Sequence, residues 1–396
     1  MKVVYISPRY HTNQNGIISG WLSDGDEVLF LAQYSFGVED HSLITPHIMG
    51  YAGWFECVDR FYVNKLKKND PFARDRRLRW GVPPLGRIKE ELLKFGPDLV
   101  ILRERNLYTM GCYRLCKKLG LKTIMWNLSP VYAEPSYFKD DIPHRLVRRL
   151  TPLFRFTPVR QTGIDMSGKI ADVYSYFAPF VVEPSCKPED HVYFRDGKIN
   201  IFEIGKYQDR KNHFLMLNAF AELKKTYPDI FLTIAGECSD SFQEDYYARL
   251  SKKVEELGLS GCVKLLRNVP KKEIREIYMN SDIYVLTSTG EPASITVIEA
   301  MSNSVPAISG TDNGTADYVR QGVTGYVFED CDGEDLVAKL SLILENARET
   351  IPEMGRAAYE SIKEDYGFKA YKRTIEKMLE DREAYQNKIG PFGRKP

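Results

Sequence analysis

From Lys198 onward, short apolar runs rich in β-branched and aromatic residues alternate with longer stretches whose apolar residues recur at helical spacing. This alternation is typical of a parallel sheet covered by helices. It predicts six strands, in the segments INIFEIG, IFLTIAGE, CVKLLRNV, DIYVLTS, VPAISG and TGYVFE. The segments between the strands are predicted helices: KNHFLMLNAFAELKKTYP, EDYYARLSKKVEELGL, KKEIREIYMN, SITVIEAMSN and TADYVRQG.

The N-terminal half repeats this pattern less regularly. Its predicted strands are KVVYISP, EVLFLA, RFYVN, DLVILRE and KTIMWNLS, and its predicted helices are GRIKEELLKFG and YTMGCYRLCKKLG. In the first of these helices Leu85, Ile88, Leu92 and Phe95 recur at helical spacing. The pattern therefore predicts an α/β protein built from two similar halves.

A proline-containing segment, APFVVEPSCKPEDHVYFRDG (178–197), separates the two halves and is predicted to connect two domains. We therefore predict an N-terminal domain over residues 1–183, a linker over 184–197 and a C-terminal domain over 198–368. The final helix and tail, 369–396, are expected to return to the N-terminal domain.

Composition supports two domains, because 396 residues exceed what one ordinary core accommodates. The charge is nearly balanced, with 55 Lys and Arg against 54 Asp and Glu, so nothing in the total indicates a nucleic-acid partner. Seven scattered cysteines fit buried free thiols better than a metal site. Since no apolar run could span a bilayer and no secretory signal opens the chain, we expect a cytoplasmic protein.

The segment STGEPASITVIEAMSNSVP (288–306) holds two glutamates, Glu291 and Glu299, eight positions apart. Ligands of open α/β sheets bind beyond the carboxyl ends of the strands, which is where this segment begins. Ser294 is predicted to cap a helix that begins near Ile295, and the free amides of that helix would form an anion site.

Glu299 could accept two hydrogen bonds from a vicinal diol such as a ribose, while the amides ahead of it bind a phosphate. Glu291 would then face a second hydroxylated group beyond the phosphates. This spacing suits a ligand that carries a ribose, a diphosphate and a sugar. The alternative is that Glu291 is an ordinary loop acid and Glu299 a buried carboxylate paired with an Arg or Lys.

A second loop, KYQDRKNH, follows the strand INIFEIG and supplies Lys206, Arg210 and Lys211. Cations at such a position are what a diphosphate leaving group requires, although a solvated basic turn would look the same. A third loop, SGTDNGTADY, contains glycines that fit either a phosphate or sugar contact or a plain turn.

The run from Gly290-Glu291-Pro292 through Glu299-Ala300-Met301, followed by Val305-Pro306, resembles the E-x7-E signature of the family 4 retaining glycosyltransferases. The resemblance extends over about Ile199 to Phe328. It implies the GT-B fold, in which two Rossmann-like doubly wound domains face each other across a cleft. It also implies a UDP-sugar or GDP-sugar donor on the C-terminal domain and an acceptor on the N-terminal domain, with neither metal nor cofactor.

The resemblance also assigns roles to individual residues. Glu291 would contact the donor sugar, Lys206 and Lys211 the diphosphate, and Glu299 the ribose. Further donor contacts would come from Arg210, Ser294, Ile295, Thr296 and Gly16. The N-terminal half departs from the family, because Asn127 stands where many members have a histidine and the first loop has single glycines. His11 in that loop is a further candidate for the donor sugar.

The predicted activity is a hexosyl transfer to a glycan or lipid-linked acceptor, as in polysaccharide biosynthesis. An epimerase or phosphorylase of the same architecture and a non-enzymatic two-lobed sugar-binding protein stay open. The segment HRLVRRLTPLFRF, His144–Phe156, is basic and amphipathic. It fits either a peripheral contact with the inner face of a membrane or a core-packing helix with a solvated basic face.

Overall fold

The computed structural model describes residues 1–35, 41–62, 81–104, 107–138 and 153–389, with the side chains of the last helix described as far as residue 381. By its internal packing the chain divides into two units. Unit 1 comprises Met1–Thr157, Ile170–Val181 and Phe368–Pro396, and unit 2 comprises Pro158–Lys169 and Val182–Gly367. The domain boundaries given above stay predictions.

Unit 1 contains a parallel sheet in the order β3-β2-β1-β4-β5-β7-β9, and β6 pairs antiparallel with β8. The strands are β1 Lys2–Ser7, β2 Glu27–Ala32, β3 His47–Ile48, β4 Leu99–Arg103, β5 Thr123–Trp126, β6 Tyr132–Ala133, β7 Arg155–Thr157, β8 Ile170–Ala171 and β9 Ser175–Phe177. The helices described in this unit are Asn15–Ser23, Gly53–Phe61, Leu85–Phe95, Leu107–Lys118 and Phe368–Ile389.

Two cores cover the faces of this sheet, because successive side chains of a strand point to opposite sides. Val3 and Tyr5 of β1 belong to one core, and Val4 and Ile6 belong to the other. The last helix is part of unit 1, since its Tyr371 lies fully buried in the first of these cores, 3.1 Å from the Tyr5 hydroxyl.

Unit 2 contains a parallel sheet in the order β12-β11-β10-β13-β14-β15. The strands are β10 Ile199–Ile204, β11 Ile230–Gly236, β12 Val263–Arg267, β13 Ile283–Leu286, β14 Ala307–Gly310 and β15 Gly325–Phe328. Its described α-helices are His213–Thr226, Ser241–Glu256, Lys271–Met279, Thr296–Ser302, Gly333–Leu344 and Ala347–Asp365. The strands β10, β13 and β14 are neighbours, so the loops that follow them meet at one carboxyl edge.

The six strands predicted for the second half are confirmed, and so is the α/β class with two Rossmann-like sheets. The predicted strand RFYVN is wrong, because Arg60 and Phe61 lie in the Gly53–Phe61 helix. A run of three apolar residues between two polar ones is too short to separate a strand from the end of a helix. Residues 63–64 of that segment lie outside the described residues.

Most of the predicted amphipathic segment, residues 144–152 of His144–Phe156, lies outside the described residues. Its remaining end is buried: Leu153, Phe154 and Phe156 contribute to the cores of unit 1, and Arg155 begins β7. These residues therefore present no surface to a membrane. None of the helices that the structure describes is long and apolar enough to cross a bilayer.

Candidate active site

Two cations converge on one carboxylate at the carboxyl edge of the unit 2 sheet. The Nζ atom of Lys211 lies 2.5 Å from Oε2 of Glu291, and an Nη atom of Arg210 lies 2.8 Å from the same oxygen. Lys211 and Glu291 are largely buried, with side-chain exposures of 13% and 11%, whereas that of Arg210 is 41%. The alternative of a solvated basic turn therefore does not describe Lys211, whose side chain is largely buried against Glu291.

The backbone around Lys211 explains its position. A single 3₁₀ turn, Asp209–Lys211, follows β10, and Asn212 adopts a left-handed conformation with φ 53° before the helix His213–Thr226 begins. Gly205 leaves space for the Lys211 side chain, since a Cβ at that position would lie 2.9 Å from its Cδ atom. The glycine thus allows the lysine stem to lie across the end of the strand.

Lys206 is not brought together with the other two cations. Its Nζ atom lies 2.8 Å from Oε2 of Glu237, which follows β11, and both side chains are about half exposed, at 50% and 47%. The side chain therefore leaves the loop toward β11 and not toward Glu291 on the β13 side. Its role at the diphosphate stays a prediction.

The third predicted loop, which follows β14, supports the turn that carries Glu291. The Gly290 amide donates to the Asp312 carboxylate at 2.6 Å, and the Glu291 amide donates to the Asp312 carbonyl at 3.1 Å. The Gly314 amide donates in turn to the Glu291 carbonyl at 2.9 Å. Asp312 and Gly314 of this loop therefore hold the backbone of the turn that carries Glu291.

The predicted cap by Ser294 is wrong, because the helix Thr296–Ser302 begins after Ile295 and has no side-chain cap. The Ser294 amide donates to Asn313 Oδ1 and Thr315 Oγ1, both at 3.2 Å, and its hydroxyl lies 2.8 Å from that of Thr296. These internal bonds use the polar groups of Ser294. The amides of Ile295 and Thr296 have no acceptor among the described residues, as expected at a helix start.

Glu299 is partly buried one turn into this helix, and its closest polar contact is the Tyr278 hydroxyl, 3.4 Å from Oε2. Burial raises the pKa of the Glu299 carboxyl, while the positive charge of Lys271 and the Tyr278 hydroxyl oppose that rise. Lys271 is thus the cation whose charge acts on Glu299, and the alternative of a structural acid stays open beside the predicted ribose contact.

Three buried residues behind this site were not predicted: Glu203 in β10, His213 at the start of its helix and Thr287 after β13. Nδ1 of His213 lies 3.0 Å from Oε2 of Glu203, and the Thr287 hydroxyl donates to Oε1 of Glu203. The sequence signal was a glutamate inside an otherwise apolar strand, IFEIG, which the strand pattern alone did not single out.

The residues predicted in unit 1 have local partners. Asn127 is buried, and its Nδ2 donates to Glu104 at 2.9 Å while its Oδ1 accepts from the Ser129 amide at 3.2 Å. His11 is exposed, with Nε2 3.1 Å from Nε of Arg9. Gly16 lies in the first helix, where a Cβ would come 2.0 Å from the Val181 carbonyl oxygen, so close packing alone requires glycine. Donor contacts from this unit stay predictions.

Comparisons with known proteins bear on the segment that carries this site. Residues 190–361 match the family model described as Glycosyl transferases group 1. This matched segment contains every predicted site residue of unit 2. This match confirms the predicted enzyme class for that segment. No group of three or more His, Cys, Asp or Glu side chains that could hold a metal ion occurs within the described ranges.

Two relatives match over a larger part of the chain. Mannosylfructose-phosphate synthase of Agrobacterium fabrum (strain C58 / ATCC 33970) is 27% identical over 297 residues, which are 72% of this chain and 62% of the relative. Sulfoquinovosyl transferase SQD2 of Arabidopsis thaliana is 35% identical over 307 residues, 72% of this chain and 56% of the relative. The chain thus spans about 60% of the length of these relatives.

Solved structures confirm the predicted fold class. A glycosyltransferase from Rickettsia africae ESF-5 superposes with a TM-score of 0.67 at 14% identity, covering 98% of this chain and 99% of the other. Anabaena Alr3699/HepE, solved in complex with UDP and glucose, gives a TM-score of 0.65 at 14% identity and covers 96% and 100%. At such identities the likeness establishes the GT-B fold alone.

Proposed function

We propose that this chain is a family 4 retaining glycosyltransferase that moves a sugar from a nucleoside diphosphate donor to an acceptor hydroxyl. A UDP-sugar is the first donor to test and a GDP-sugar the second. The acceptor is a glycan or a lipid-linked sugar, as in polysaccharide biosynthesis. The observation that carries the proposal is the convergence of Lys211 and Arg210 on Glu291 at the carboxyl edge of a parallel sheet.

The charge balance of this cluster suits a diphosphate. Two cations share a single carboxylate, so the cluster of three side chains keeps one net positive charge. A diphosphate carries more negative charge than the carboxylate and offers more acceptor oxygens, so it competes effectively for both cations. Donor binding would then release Glu291, whose oxygens become available to the hydroxyls of the donor sugar.

Glu299 and the helix start supply the remaining donor contacts. The free amides of Ile295 and Thr296 would donate to a phosphate oxygen, and Glu299 would accept two hydrogen bonds from the ribose hydroxyls. Glu299 suits this role because its carboxylate has a single long hydrogen bond, from Tyr278, among the described residues. Lys206 would reach the diphosphate only by leaving Glu237.

In the transfer step the bond between the sugar anomeric carbon and the diphosphate oxygen breaks. The acceptor oxygen bonds to the same face of that carbon, and the acceptor proton passes to the departing diphosphate. Lys211 and Arg210 lower the barrier by stabilising the charge that grows on this leaving group. The cations of the chain would thus do the work that a divalent metal ion does elsewhere, so the proposal includes neither metal nor cofactor.

The enzyme is proposed to act in the cytoplasm, with a lipid-linked acceptor reached at the inner face of a membrane. Acceptor binding is assigned to the N-terminal part of the chain, as the family resemblance implies, because the charged residues proposed to bind the donor lie in unit 2. A flotation assay with phosphatidylglycerol vesicles tests the membrane association: recovery with the vesicles supports it, and recovery only in the aqueous fraction contradicts it.

The experiment that tests the proposed donor site measures UDP released from UDP-glucose without acceptor, followed by a screen of other nucleoside diphosphate sugars. A transferase slowly hydrolyses its donor, whereas a sugar-binding protein binds without release. Glu299→Ala should weaken UDP binding by about 10- to 100-fold, the loss of hydrogen bonds to a charged group. Glu255→Ala, at an exposed acid of the same unit, is the matched control.

Two outcomes would contradict this proposal. One is an absence of binding and release for every nucleoside diphosphate sugar tested. The other is wild-type donor affinity in the Glu299→Ala variant. Retention is tested separately, because NMR of the product formed with a surrogate acceptor reports the anomeric configuration directly.

A further inference from the structure

A fully buried acid, Glu203, lies behind the Lys211–Glu291 pair and is not among the residues proposed to contact the donor. Glu203 is 1% exposed, and its two neighbours His213 and Thr287 are both 0% exposed. Burying a carboxylate costs several kcal/mol unless it is hydrogen-bonded or paired. We therefore expect the contacts of the buried Glu203 carboxylate to have a structural or functional role.

Glu203 connects two loops that are distant in sequence. Its Oε1 accepts hydrogen bonds from the hydroxyl of Thr287 and, at 3.4 Å, from the Thr287 amide. Its Oε2 lies 3.0 Å from Nδ1 of His213, close enough for an ion pair but without hydrogen-bond alignment. Thr287 begins the loop that carries Glu291, and His213 begins the helix that follows Lys211.

The Thr287 hydroxyl also reaches the backbone beside the catalytic cation. It lies 3.0 Å from the carbonyl oxygen of Lys211 and 3.2 Å from that of Asn212. Asn212 has a φ of 53°, a left-handed conformation that asparagine adopts more readily than most non-glycine residues. Two residues further on, the Thr289 amide donates to the Arg210 carbonyl at 3.0 Å, so the two loops are joined at both cations.

We propose that Glu203, His213 and Thr287 are positioning residues that fix the Lys211 backbone, so that its ammonium group meets the diphosphate of the donor. They touch no substrate and act through Lys211. This inference rests on the proposed function, because it concerns the same diphosphate site. It makes Thr287 a determinant of diphosphate affinity, whereas a residue that only stabilised the fold would affect every ligand of the unit equally.

The first test compares the affinities of UDP and uridine by NMR titration. Thr287→Val keeps the shape but removes the hydroxyl, so UDP affinity should fall by about 10-fold, the loss of a buried hydrogen bond, while uridine affinity stays unchanged. Thr287→Ser restores the hydroxyl and should restore UDP affinity. Thr287→Ala removes the hydroxyl with less bulk and replaces Thr287→Val if that variant does not fold.

Ser288→Ala is the matched control. Ser288 is the next residue of the same loop, is 1% exposed, and its hydroxyl has no hydrogen-bond partner among the described residues. Removing it should leave UDP affinity at the wild-type value. An equal loss in Ser288→Ala and Thr287→Val would show that the loop responds to any cavity and would overturn the inference.

A second test places Thr287→Val in a Lys211→Ala background. If Thr287 acts through Lys211, the second substitution should cost no further UDP affinity once the ammonium group is gone. A full additional 10-fold loss, or parallel losses of UDP and uridine affinity, would overturn the inference. Failure of the proposed function is distinguishable, because the wild-type protein itself would then bind neither UDP nor GDP.

Discussion

The two units use similar sheets but treat charge at the carboxyl edge in opposite ways. In unit 1, Arg155 is 4% exposed and donates from Nε to Oε2 of Glu104 at 2.6 Å and from an Nη atom to the Leu153 carbonyl at 2.7 Å. In unit 2, Lys211 and Arg210 share one oxygen of Glu291. In unit 1 the Arg155 guanidinium bonds to an acid and a backbone carbonyl, whereas in unit 2 two cations share one carboxylate oxygen.

Under the proposed function, this difference explains why the strand edge of unit 2 would bind an anion. Both sites contain an arginine paired with a glutamate, and the unit 2 site adds Lys211 on the same carboxylate oxygen. The two sites differ in how many N–H groups of their cations already donate to acceptors within the protein. We therefore expect substitutions of the Arg155–Glu104 pair in unit 1 to change folding stability, and those of the Lys211, Arg210 and Glu291 cluster in unit 2 to change ligand binding and turnover.

The largest effect is expected for Arg155→Met. It leaves Glu104 with a poorly compensated charge in a nearly closed environment, which should lower the free energy of unfolding by about 3 to 5 kcal/mol. Urea denaturation measures this loss. Arg114→Met, at an exposed position on a helix of the same unit, is the control and should be close to neutral. A loss below about 1 kcal/mol would mean that the Arg155–Glu104 pair does not hold the unit together.

Lys211→Ala is expected to lower the rate of sugar transfer by about 100-fold or more, because one preorganised cation at the leaving group is lost. The rate is measured by steady-state kinetics, with the nucleoside diphosphate sugar that the UDP-release screen identifies as the donor. Thermal stability should fall less than in Arg155→Met, because Arg210 still pairs with Glu291. Lys206→Ala is the informative partner, because Lys206 is paired with Glu237 and should matter less. An equal loss of transfer rate in Lys211→Ala and Lys206→Ala would contradict the different roles assigned to these two lysines.

A third carboxylate, that of Asp317, extends the comparison to a buried acid whose negative charge is only weakly compensated by a nearby cation. Asp317 is 10% exposed, its oxygens have no hydrogen-bond partner among the described residues, and Nε of Arg160 lies 3.5 Å away. Burial raises the pKa of Asp317 to about 6, against the opposing charge of Arg160. Since the folded-state pKa exceeds the unfolded value, this group favours folding below about pH 4, and that contribution is lost as the pH rises through about 6.

Asp317→Asn should therefore raise the free energy of unfolding by about 2 kcal/mol at pH 8, with little difference from the wild type near pH 4. Denaturation curves at the two pH values measure this change. The exposed Asp229→Asn is the control and should show no such pH dependence. A variant that is less stable than the wild type at pH 8 would show that the attraction of Arg160 outweighs the cost of burial.

The smallest effect is expected for Glu291→Gln, which removes the negative charge that occupies both cations of unit 2. UDP affinity should rise by about 5-fold, the value of about 1 kcal/mol for a partly exposed ion pair, while turnover of the donor sugar falls. Calorimetric titration with UDP measures the affinity. A fall in UDP affinity would mean that Glu291 orients the cations and does not compete with the diphosphate.

Much of unit 2 could be predicted from the sequence, because its strands are continuous apolar runs and its helices have regular spacing. The loops that follow β10 and β13 were placed correctly for the same reason. Side-chain directions within those loops could not be predicted. Lys206 and Lys211 lie five residues apart on one loop, yet one pairs with Glu237 and the other with Glu291.

The remaining errors have a common physical origin. Ser294 has the residue type of a helix cap, but its hydroxyl lies 2.8 Å from the Thr296 hydroxyl, and the helix begins two residues later. The role of Glu203 could not be predicted from local sequence, because its partners His213 and Thr287 belong to separate segments of the chain. Local propensity indicates which element forms, whereas contacts between loops depend on the whole sheet.

A crystal structure with bound UDP tests the central claim most directly. The account predicts the diphosphate within about 3 Å of the Lys211 ammonium and the Arg210 guanidinium, with Glu291 displaced from both and Glu299 bonded to the ribose. UDP bound elsewhere, with Lys211 and Arg210 still paired to Glu291, would contradict it.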